Sequence, residues 1–211
     1  MKKYILSSAL LSCCLIFSAC QTAEMNLARA KSYTDAGNHV AALPLYRSAA
    51  KAGSAEAQLA LGKCYDFGRG VTADPAEAVR WYSRAAESGN ADAQDNLATC
   101  YAEGYGVPKD LSRAFFWYKR AAEQGNAYAL NNLGLCYRNG EGVAPDHITA
   151  SQCFEQAALK GNANAQYNLG RSYYHGLGVP VDMEKARLWV SRAAAQGHQN
   201  AAAFMEDNNW K

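Results

Sequence analysis

The sequence predicts an all-α protein built from a row of stacked helical hairpins, and three observations support this fold class. Apolar residues fall at i, i+3, i+4 and i+7 within each segment, which is the spacing of one face of a helix. Glycines recur at the positions where these segments should end. Above all, one pattern repeats every 36 residues, as seen in Tyr65, Tyr101, Tyr137 and Tyr173. One period is therefore one hairpin of two helices.

Composition excludes several other classes of protein. The chain has 211 residues with 21 Lys+Arg and 19 Asp+Glu, a formal net charge of +2, and no run of like charge. A surface that binds nucleic acid is not expected from so balanced a charge. With 49% hydrophobic residues, the chain also has enough apolar material to fold, so a disordered protein is not expected either.

Residues 1–19 have the pattern of a secretory signal peptide. Lys2 and Lys3 precede an uncharged, mostly apolar stretch over residues 4–17, and small residues follow it. This stretch is too short to cross a hydrocarbon core of ~30 Å as a permanent span. No later segment approaches the ~20 apolar residues that a spanning helix needs, so we expect the mature protein to have no transmembrane helix.

The end of this segment, Phe17-Ser18-Ala19-Cys20, resembles the lipobox of bacterial lipoproteins. The resemblance implies that Cys20 carries fatty acids such as palmitate and becomes the new N-terminus, with residues 20–23 as a lipidated tether. Gln21 follows the anchor, which resembles default sorting to the outer membrane. We therefore expect an outer-membrane lipoprotein of the bacterial cell envelope that faces the periplasm.

Two alternatives to this anchor stay open. Leu10-Leu11-Ser12-Cys13 forms a rival lipobox, although the apolar region that precedes it is shorter than that of a normal signal peptide. An ordinary cleavage site near Ala19 would give a secreted protein without a lipid.

Residues 24–54 predict a shorter hairpin that caps one end of the stack. The segment has Tyr33, Gly37, an alanine pair at 49 and 50, and Gly53, but it lacks the paired glycines followed by valine that mark the later units. It is more similar to a tetratricopeptide unit. Residues 199–211 begin another helix and then become polar, so we expect them to cap the other end.

Four full units follow the first hairpin, and residues 55–90 show how each one is built. Helix A covers about 55–67 and ends at Gly68 and Gly70, which supply the positive-φ positions that terminate helices. Helix B starts at Asp74 as N-cap, with Pro75 at its first position. Its buried stripe consists of Ala78, Trp81, Tyr82, Ala85 and Ala86. The same elements recur in residues 91–126, 127–162 and 163–198.

The repeated motif resembles the Sel1-like repeat. Its residues in the first unit are Leu61-Gly62-x-x-Tyr65-x-x-Gly68-x-Gly70-Val71-x-x-Asp74, followed by Ala78, Trp81-Tyr82 and Ala85-Ala86. The resemblance implies an α-solenoid of Sel1-like, tetratricopeptide-related repeats with a right-handed superhelix, in which stacked hairpins bury a common core. It also implies an adaptor or scaffold that assembles protein complexes. We therefore expect a non-catalytic protein without a cofactor that binds a protein or an extended peptide in the cell envelope.

The resemblance places the partner-binding surface on the A helices, which line the concave face of tetratricopeptide-like solenoids. Acidic residues dominate this face in the first two units, whereas Arg, Tyr and Asn dominate it in the last two. Arg138 and Arg171 are expected to pair with carboxylates of an extended peptide. The full set of predicted contacts is Tyr128, Asn131, Arg138, Tyr167, Arg171, Tyr174 and His175, together with Asn96, Asn132 and Asn168, which resemble the ligand-binding asparagines of tetratricopeptide repeats.

Other interpretations of these positions stay open. Arginines and tyrosines are common on solvated helix faces, and recurrent asparagines can simply bond a neighbouring helix.

The cysteines outside residues 1–20 favour burial over a disulfide framework. Cys64, Cys100 and Cys136 occupy one repeat position, which suits a small buried residue. Cys153 stands where the other units have Trp and could face Cys136 across its hairpin, so a Cys136–Cys153 disulfide is the alternative. No spacing of Cys and His resembles a metal site.

A catalytic alternative rests on Ser48-Ala49-Ala50-Lys51, which matches the SxxK signature of penicillin-interacting serine enzymes. No KTG or SDN motif follows it, and no HExxH motif occurs in the chain. The alternative function is therefore a cell-wall protein that interacts with β-lactams or peptidoglycan, as reported for some cysteine-rich relatives. The favoured scaffold function involves no small-molecule substrate.

Overall fold

The computed structural model describes residues 21–210, and in this range it consists of α-helices joined by short connections. Helix α1 is described over residues 21–35. The helices that follow it repeat one pattern, with two helices and two glycine-containing connections per period. The helices are α2 (His39–Lys51), α3 (Ala55–Phe67), α4 (Pro75–Glu87), α5 (Ala91–Glu103), α6 (Leu111–Glu123), α7 (Ala127–Asn139), α8 (His147–Leu159), α9 (Ala163–His175), α10 (Met183–Ala195) and α11 (Gln199–Asp207).

No strand occurs among residues 21–210, so the all-α prediction is confirmed. The B helices α4, α6, α8 and α10 each start at an aspartate whose side chain accepts a backbone N–H three residues further on, and Asn38 does the same for α2. The Asp74 Oδ1 atom accepts from the Glu77 N–H at 3.0 Å, and the Asp182 Oδ1 atom accepts from the Lys185 N–H at 2.9 Å. These bonds satisfy donors that the first turn of a helix leaves free. The position of each B helix therefore follows from a local signal in the sequence.

The connections from A to B helices bring the backbone against the preceding hairpin. Gly142 has φ +74°, and a Cβ atom added there would overlap the backbone carbonyl group of Leu111. Gly178, one repeat later, has φ +73° and the same relation to His147. Only glycine combines this conformation with so close an approach. The first glycine of each pair ends helix A, and the second lets consecutive hairpins stack.

The described residues divide into two compact units. The first contains the described residues up to Ala93 together with Tyr105–Val107, and its core includes Leu43, Tyr46, Leu61 and Trp81. The second contains Gln94–Gly104 and the described residues from Pro108 onward. Its largest cluster of buried residues includes Tyr118, Leu133, Phe154 and Trp189. Alanines fill most of the remaining positions of these two clusters, which lets the paired helices approach closely.

Several expectations concern residues that the structure does not describe. The signal peptide and the proposed anchor Cys20 lie outside residues 21–210, as does the rival Cys13. Among the described residues, no helix combines the length and the apolar character that a membrane crossing requires.

Candidate functional site

Arg138 and Arg171, the two arginines of the predicted binding surface, lie on α7 and α9 in the second unit. Both side chains are half-buried. The Arg138 Nη1 atom donates to the Asn168 Oδ1 atom at 3.1 Å, and its Nε atom donates to the Asn139 Oδ1 atom at 3.2 Å. Its guanidinium also lies 5.8 Å from the centre of the Phe154 ring. The direct partners of Arg138 are thus two neutral amides and an aromatic ring, and none of them is a carboxylate.

The charge of Arg171 acts on Arg138. Burial lowers the pKa of Arg138, and the positive charge of Arg171 lowers it further, while Glu141 partly opposes both effects. The Arg171 guanidinium lies 5.8 Å from the centre of the Tyr167 ring. Within residues 21–210, neither arginine forms an ion pair. The Arg138 guanidinium is therefore partly desolvated and feels a like charge, and an anion bound there would stabilise it.

Tyr128 is the most accessible aromatic residue of the predicted surface. It lies in the first turn of α7 and is 65% exposed. His175, at the end of α9, is also exposed. These two side chains are available for contact with another molecule.

The asparagines link helices of consecutive repeats. The Asn168 Nδ2 atom donates to the Asn131 Oδ1 atom at 2.9 Å, and the Asn132 Nδ2 atom donates to the Asp95 Oδ1 atom at 3.2 Å. Asn131 also donates to the Asn132 Oδ1 atom and is only 5% exposed. Its side chain therefore holds helices together and does not face a partner, in agreement with the alternative interpretation of the asparagines. Asn96 is half-buried.

Tyr167 and Tyr174 contact the last helix of the chain. The Tyr174 Oη atom donates to the Asn208 Oδ1 atom at 2.8 Å, and the Tyr174 ring lies 5.1 Å from the Phe204 ring in an edge-on arrangement. Tyr167 lies 6.1 Å from the same Phe204 ring. Trp210 completes this cluster at 5.9 Å from Tyr174. Both tyrosines are consequently half-buried against α11 and the residues that follow it.

The sequence interpretation overlooked this aromatic cluster. Phe204 lies in the apolar stretch 201–205, and Trp210 follows the polar residues 206–209. Two aromatic residues six positions apart at the end of the stack are the available signal, since such side chains are usually buried against something. The apolar part of the predicted surface is thus occupied by the chain itself.

The four described cysteines are free and buried. Burial and, after it, the charge of Glu141 raise the pKa of Cys136 to about 12. Burial and then the charge of Asp146 raise the pKa of Cys153 to about 11. The disulfide considered between these two residues is not present in this structure, and their thiols are protonated at neutral pH.

The residues behind the catalytic alternative lie at the surface of α2. Ser48 and Lys51 are both exposed, and the Ser48 Oγ atom accepts a hydrogen bond from the Asn26 Nδ2 atom at 3.1 Å. Within residues 21–210, no group of three or more His, Cys, Asp and Glu side chains is arranged to hold a metal ion.

Comparison with protein families gives a match over most of the chain. The model of the Sel1 repeat matches residues 23–54, 55–90, 91–126, 127–162 and 163–198. The first of these segments is the one that the sequence interpretation described as more similar to a tetratricopeptide unit. A search of curated proteins finds no match.

Solved structures with the same fold are similar to this chain. A Sel1 repeat protein from Oxalobacter formigenes is 34% identical with a TM-score of 0.80, covering 85% of this chain and 73% of that one. A protective antigen with an SLR fold from uropathogenic Escherichia coli strains is 34% identical with a TM-score of 0.79, covering 85% of this chain. The match spans 39% of the length of the Escherichia coli antigen.

A more distant structure shows the fold alone. The Helicobacter pylori cysteine-rich protein B is 23% identical with a TM-score of 0.50, covering 62% of this chain and 94% of that one.

Proposed function

Because the chain belongs to the Sel1 repeat family, whose members are typically protein–protein interaction scaffolds, we propose that it is a non-catalytic scaffold that binds an acidic, extended segment of a partner protein. The proposed place of binding is the face of α7 and α9 around Arg138 and Arg171. We further propose that the protein is anchored by a lipid on Cys20 to the outer membrane and meets its partner in the periplasm.

One observation carries the choice of an acidic partner, namely the electrostatic situation of Arg138. Its guanidinium is half-buried, lies near the like charge of Arg171 and has no carboxylate among its direct partners in the described residues. Removing a cation from water without a counter-ion is unfavourable, and a bound carboxylate offsets part of that cost. Charge-assisted bonds from arginine to a carboxylate are also among the stronger hydrogen bonds.

The surroundings of the arginines favour a peptide over a small anion. Tyr128 presents an exposed ring on the same helix as Arg138, and Arg and Tyr are the residue types that most often dominate protein interfaces. Tyr174, by contrast, donates a hydrogen bond to Asn208, so we propose that it supports the binding surface without contacting the partner.

Photo-crosslinking tests this surface directly. A photoreactive amino acid replaces the exposed Tyr128 in the full chain, and crosslinked products are collected from intact cells. We expect one main protein product, which disappears when Arg138→Glu and Arg171→Glu are introduced together, because both cations are then replaced by charges that repel the partner.

A matched double variant serves as the control. Lys119→Glu and Lys160→Glu change the net charge of the second unit by the same amount at exposed positions on α6 and after α8. We expect these changes to leave the crosslinked product in place. A product that survives the two arginine reversals, or that is lost equally in the lysine control, would contradict the proposed surface.

The lipid anchor is tested separately by metabolic labelling with a palmitate analogue. We expect the label on the wild-type protein and its loss in Cys20→Ala. Label that remains in Cys20→Ala but is lost in Cys13→Ala would move the anchor to the rival lipobox. An unlabelled wild-type protein would reject lipidation while leaving the binding surface of α7 and α9 unaffected.

A further inference from the structure

A small cavity lies in the first unit, among α1, α2 and α3, apart from the surface proposed above. It has a volume of about 110 Å³. The neighbouring connection between α1 and α2 covers only residues 36–38, whereas the corresponding connection between α3 and α4 covers 68–74. The cavity therefore lies beside the α1–α2 connection, which is four residues shorter than the α3–α4 connection.

The His, Lys and Arg side chains that line this cavity are all basic. Lys63 and Arg69 line it from α3 and the connection that follows, and His39 lines it from the start of α2. No carboxylate is among the lining residues. Asp66, which is close to Lys63 in the sequence, accepts a hydrogen bond from the Tyr82 Oη atom at 2.8 Å. Within residues 21–210, neither Lys63 nor Arg69 forms an ion pair.

The rest of the wall is apolar or already hydrogen-bonded. Ala60, Cys64 and the body of Tyr46 supply apolar surface. The Tyr46 and Thr34 hydroxyl groups bond each other at 2.9 Å, and Thr34 also donates to the Ala30 carbonyl oxygen. The Arg69 guanidinium lies 5.0 Å from the centre of the Phe67 ring. The cavity thus combines cations that form no ion pair with a small apolar wall, which suits an anion that carries a short hydrocarbon group.

The size of the cavity limits what can enter it. Pockets for drug-sized ligands measure roughly 300–1,000 Å³, several times the volume of about 110 Å³ found here. A continuing peptide chain would need an exit on the far side, whereas a chain end needs only one opening. A terminal carboxylate with a small side chain satisfies both the charge and the volume.

We propose that the cavity lined by Lys63, Arg69 and Ala60 binds the C-terminal carboxylate of a peptide whose last side chain is small and apolar. Lys63 and Arg69 donate to the carboxylate, and the side chain of the last residue packs against Ala60 and the Tyr46 ring. This site is separate from the arginine surface of the second unit, and either of the two can exist without the other.

The test is a titration of the ¹⁵N-labelled protein with an acetylated tetrapeptide ending in alanine, followed by amide NMR shifts. We expect saturable shifts at residues that line the cavity, and binding weaker by at least about tenfold when the terminal carboxylate is replaced by an amide, since a bond to a charged group is lost. Sodium acetate should bind more weakly than the peptide because it lacks the side chain and the peptide bond.

Variants taken from the repeat itself keep the test independent of folding. Lys63→Thr and Arg69→Leu introduce the residues found at the corresponding positions 99 and 177, and each should weaken binding of the free peptide by about tenfold. Ala60→Asn introduces the residue of positions 96, 132 and 168 and fills the cavity without changing its charge. Lys51→Thr removes a charge from exposed residue 51 and should change nothing.

Four results would overturn the proposal. The first is equal binding of the amidated and free peptides, or no binding of the free peptide at all. The second is unchanged binding in both Lys63→Thr and Arg69→Leu, with folding verified by circular dichroism. The third is an equal loss in Lys51→Thr, which would indicate attraction to net charge alone. Acetate binding as tightly as the peptide would reject a peptide end as the ligand.

Discussion

Repeats 55–90 and 127–162 have the same backbone design but fill the space between their helices with different side chains. In the first, the Tyr82 Oη atom donates to the Asp66 Oδ2 atom at 2.8 Å. In the second, Arg138 stands at the position of Asp66, and its guanidinium lies 5.8 Å from the ring of Phe154, which has no hydroxyl group. An acid bonded to a phenol is thus replaced by a cation over a ring.

The difference extends to the Trp position of helix B. Trp81 lies under the Arg84 guanidinium, 4.5 Å from it, whereas the later repeat has Cys153 and Gln156 at the corresponding positions. One backbone contact of the connections is shared, however: Gly70 and Gly142 both lie against a carbonyl group of the preceding hairpin. The comparison teaches that the glycines preserve the backbone of the hairpin. The substitution of Asp66 by Arg138 at the corresponding position changes the charge that each repeat carries there.

The largest effect is expected where the backbone itself is crowded. Gly142→Ala should lower the free energy of unfolding by about 3 kcal/mol or more, because strain at positive φ adds to an overlap with the Leu111 carbonyl group. Chemical denaturation measures the loss. Gly161→Ala is the matched control, since Gly161 also has positive φ but has nothing within 4 Å of the added Cβ atom. Equal losses in the two variants would show that crowding is unimportant.

The buried thiols of repeat 127–162 should make its stability depend on pH in the alkaline range. An unperturbed thiol has a pKa of 9.0, whereas burial raises that of Cys136 to about 12. Above pH 9 the unfolded chain therefore loses this proton first, so the free energy of unfolding falls as the pH rises towards 12. The fall approaches about 1.4 kcal/mol per pH unit for this thiol.

Cys136→Ser isolates this contribution, since serine stands at the corresponding position 172. The difference in unfolding free energy between pH 8 and pH 10 should be smaller in the variant than in the wild type. A difference of the same size in both proteins would mean that other groups cause the alkaline loss.

A double-mutant cycle can test whether the hydrogen-bonded pair of repeat 55–90 forms in repeat 127–162. Arg138→Asp with Phe154→Tyr recreates the pair formed by Asp66 and Tyr82. We expect a favourable coupling of about 1 kcal/mol between the two changes, the usual net value of a hydrogen bond that is made in a folded protein. The measurement is denaturation of both single variants and the double variant, and additive effects would show that the two positions do not meet in the second unit.

The smallest effect is expected at a buried amide in repeat 55–90. The Gln58 Oε1 atom is buried and has no hydrogen-bond partner among the described residues. The corresponding Gln166 Oε1 atom accepts from the Gln196 Nε2 atom at 2.7 Å, whereas Ser88 stands at the position of Gln196 in the first repeat. Ser88→Gln should therefore raise the free energy of unfolding by about 0.5–1 kcal/mol. Ser88→Ala, as control, should give no such gain in thermal denaturation.

Helix positions were predictable because their signals are local. Asp74 and Asp182 cap the residues that follow them within one turn, and the glycine pairs end the helices directly before them. Such signals act over a few residues and need no knowledge of the rest of the chain. The candidate site was predictable only in part: Arg138 and Arg171 could be assigned to one face by their repeat positions, but their neighbours could not.

The amino-acid sequence by itself determined that this protein is a row of α-hairpins with glycine connections, since a repeated local pattern specifies a repeated local structure. Only the tertiary structure decided that Asn131 is buried against Asn168, that Tyr174 packs on the chain's own last helix, and that Lys63 and Arg69 meet at one cavity. The first two join residues more than 25 positions apart, and the third depends on the length of a neighbouring connection. Side-chain partners of this kind follow from how the hairpins pack, and packing is a property of the whole unit.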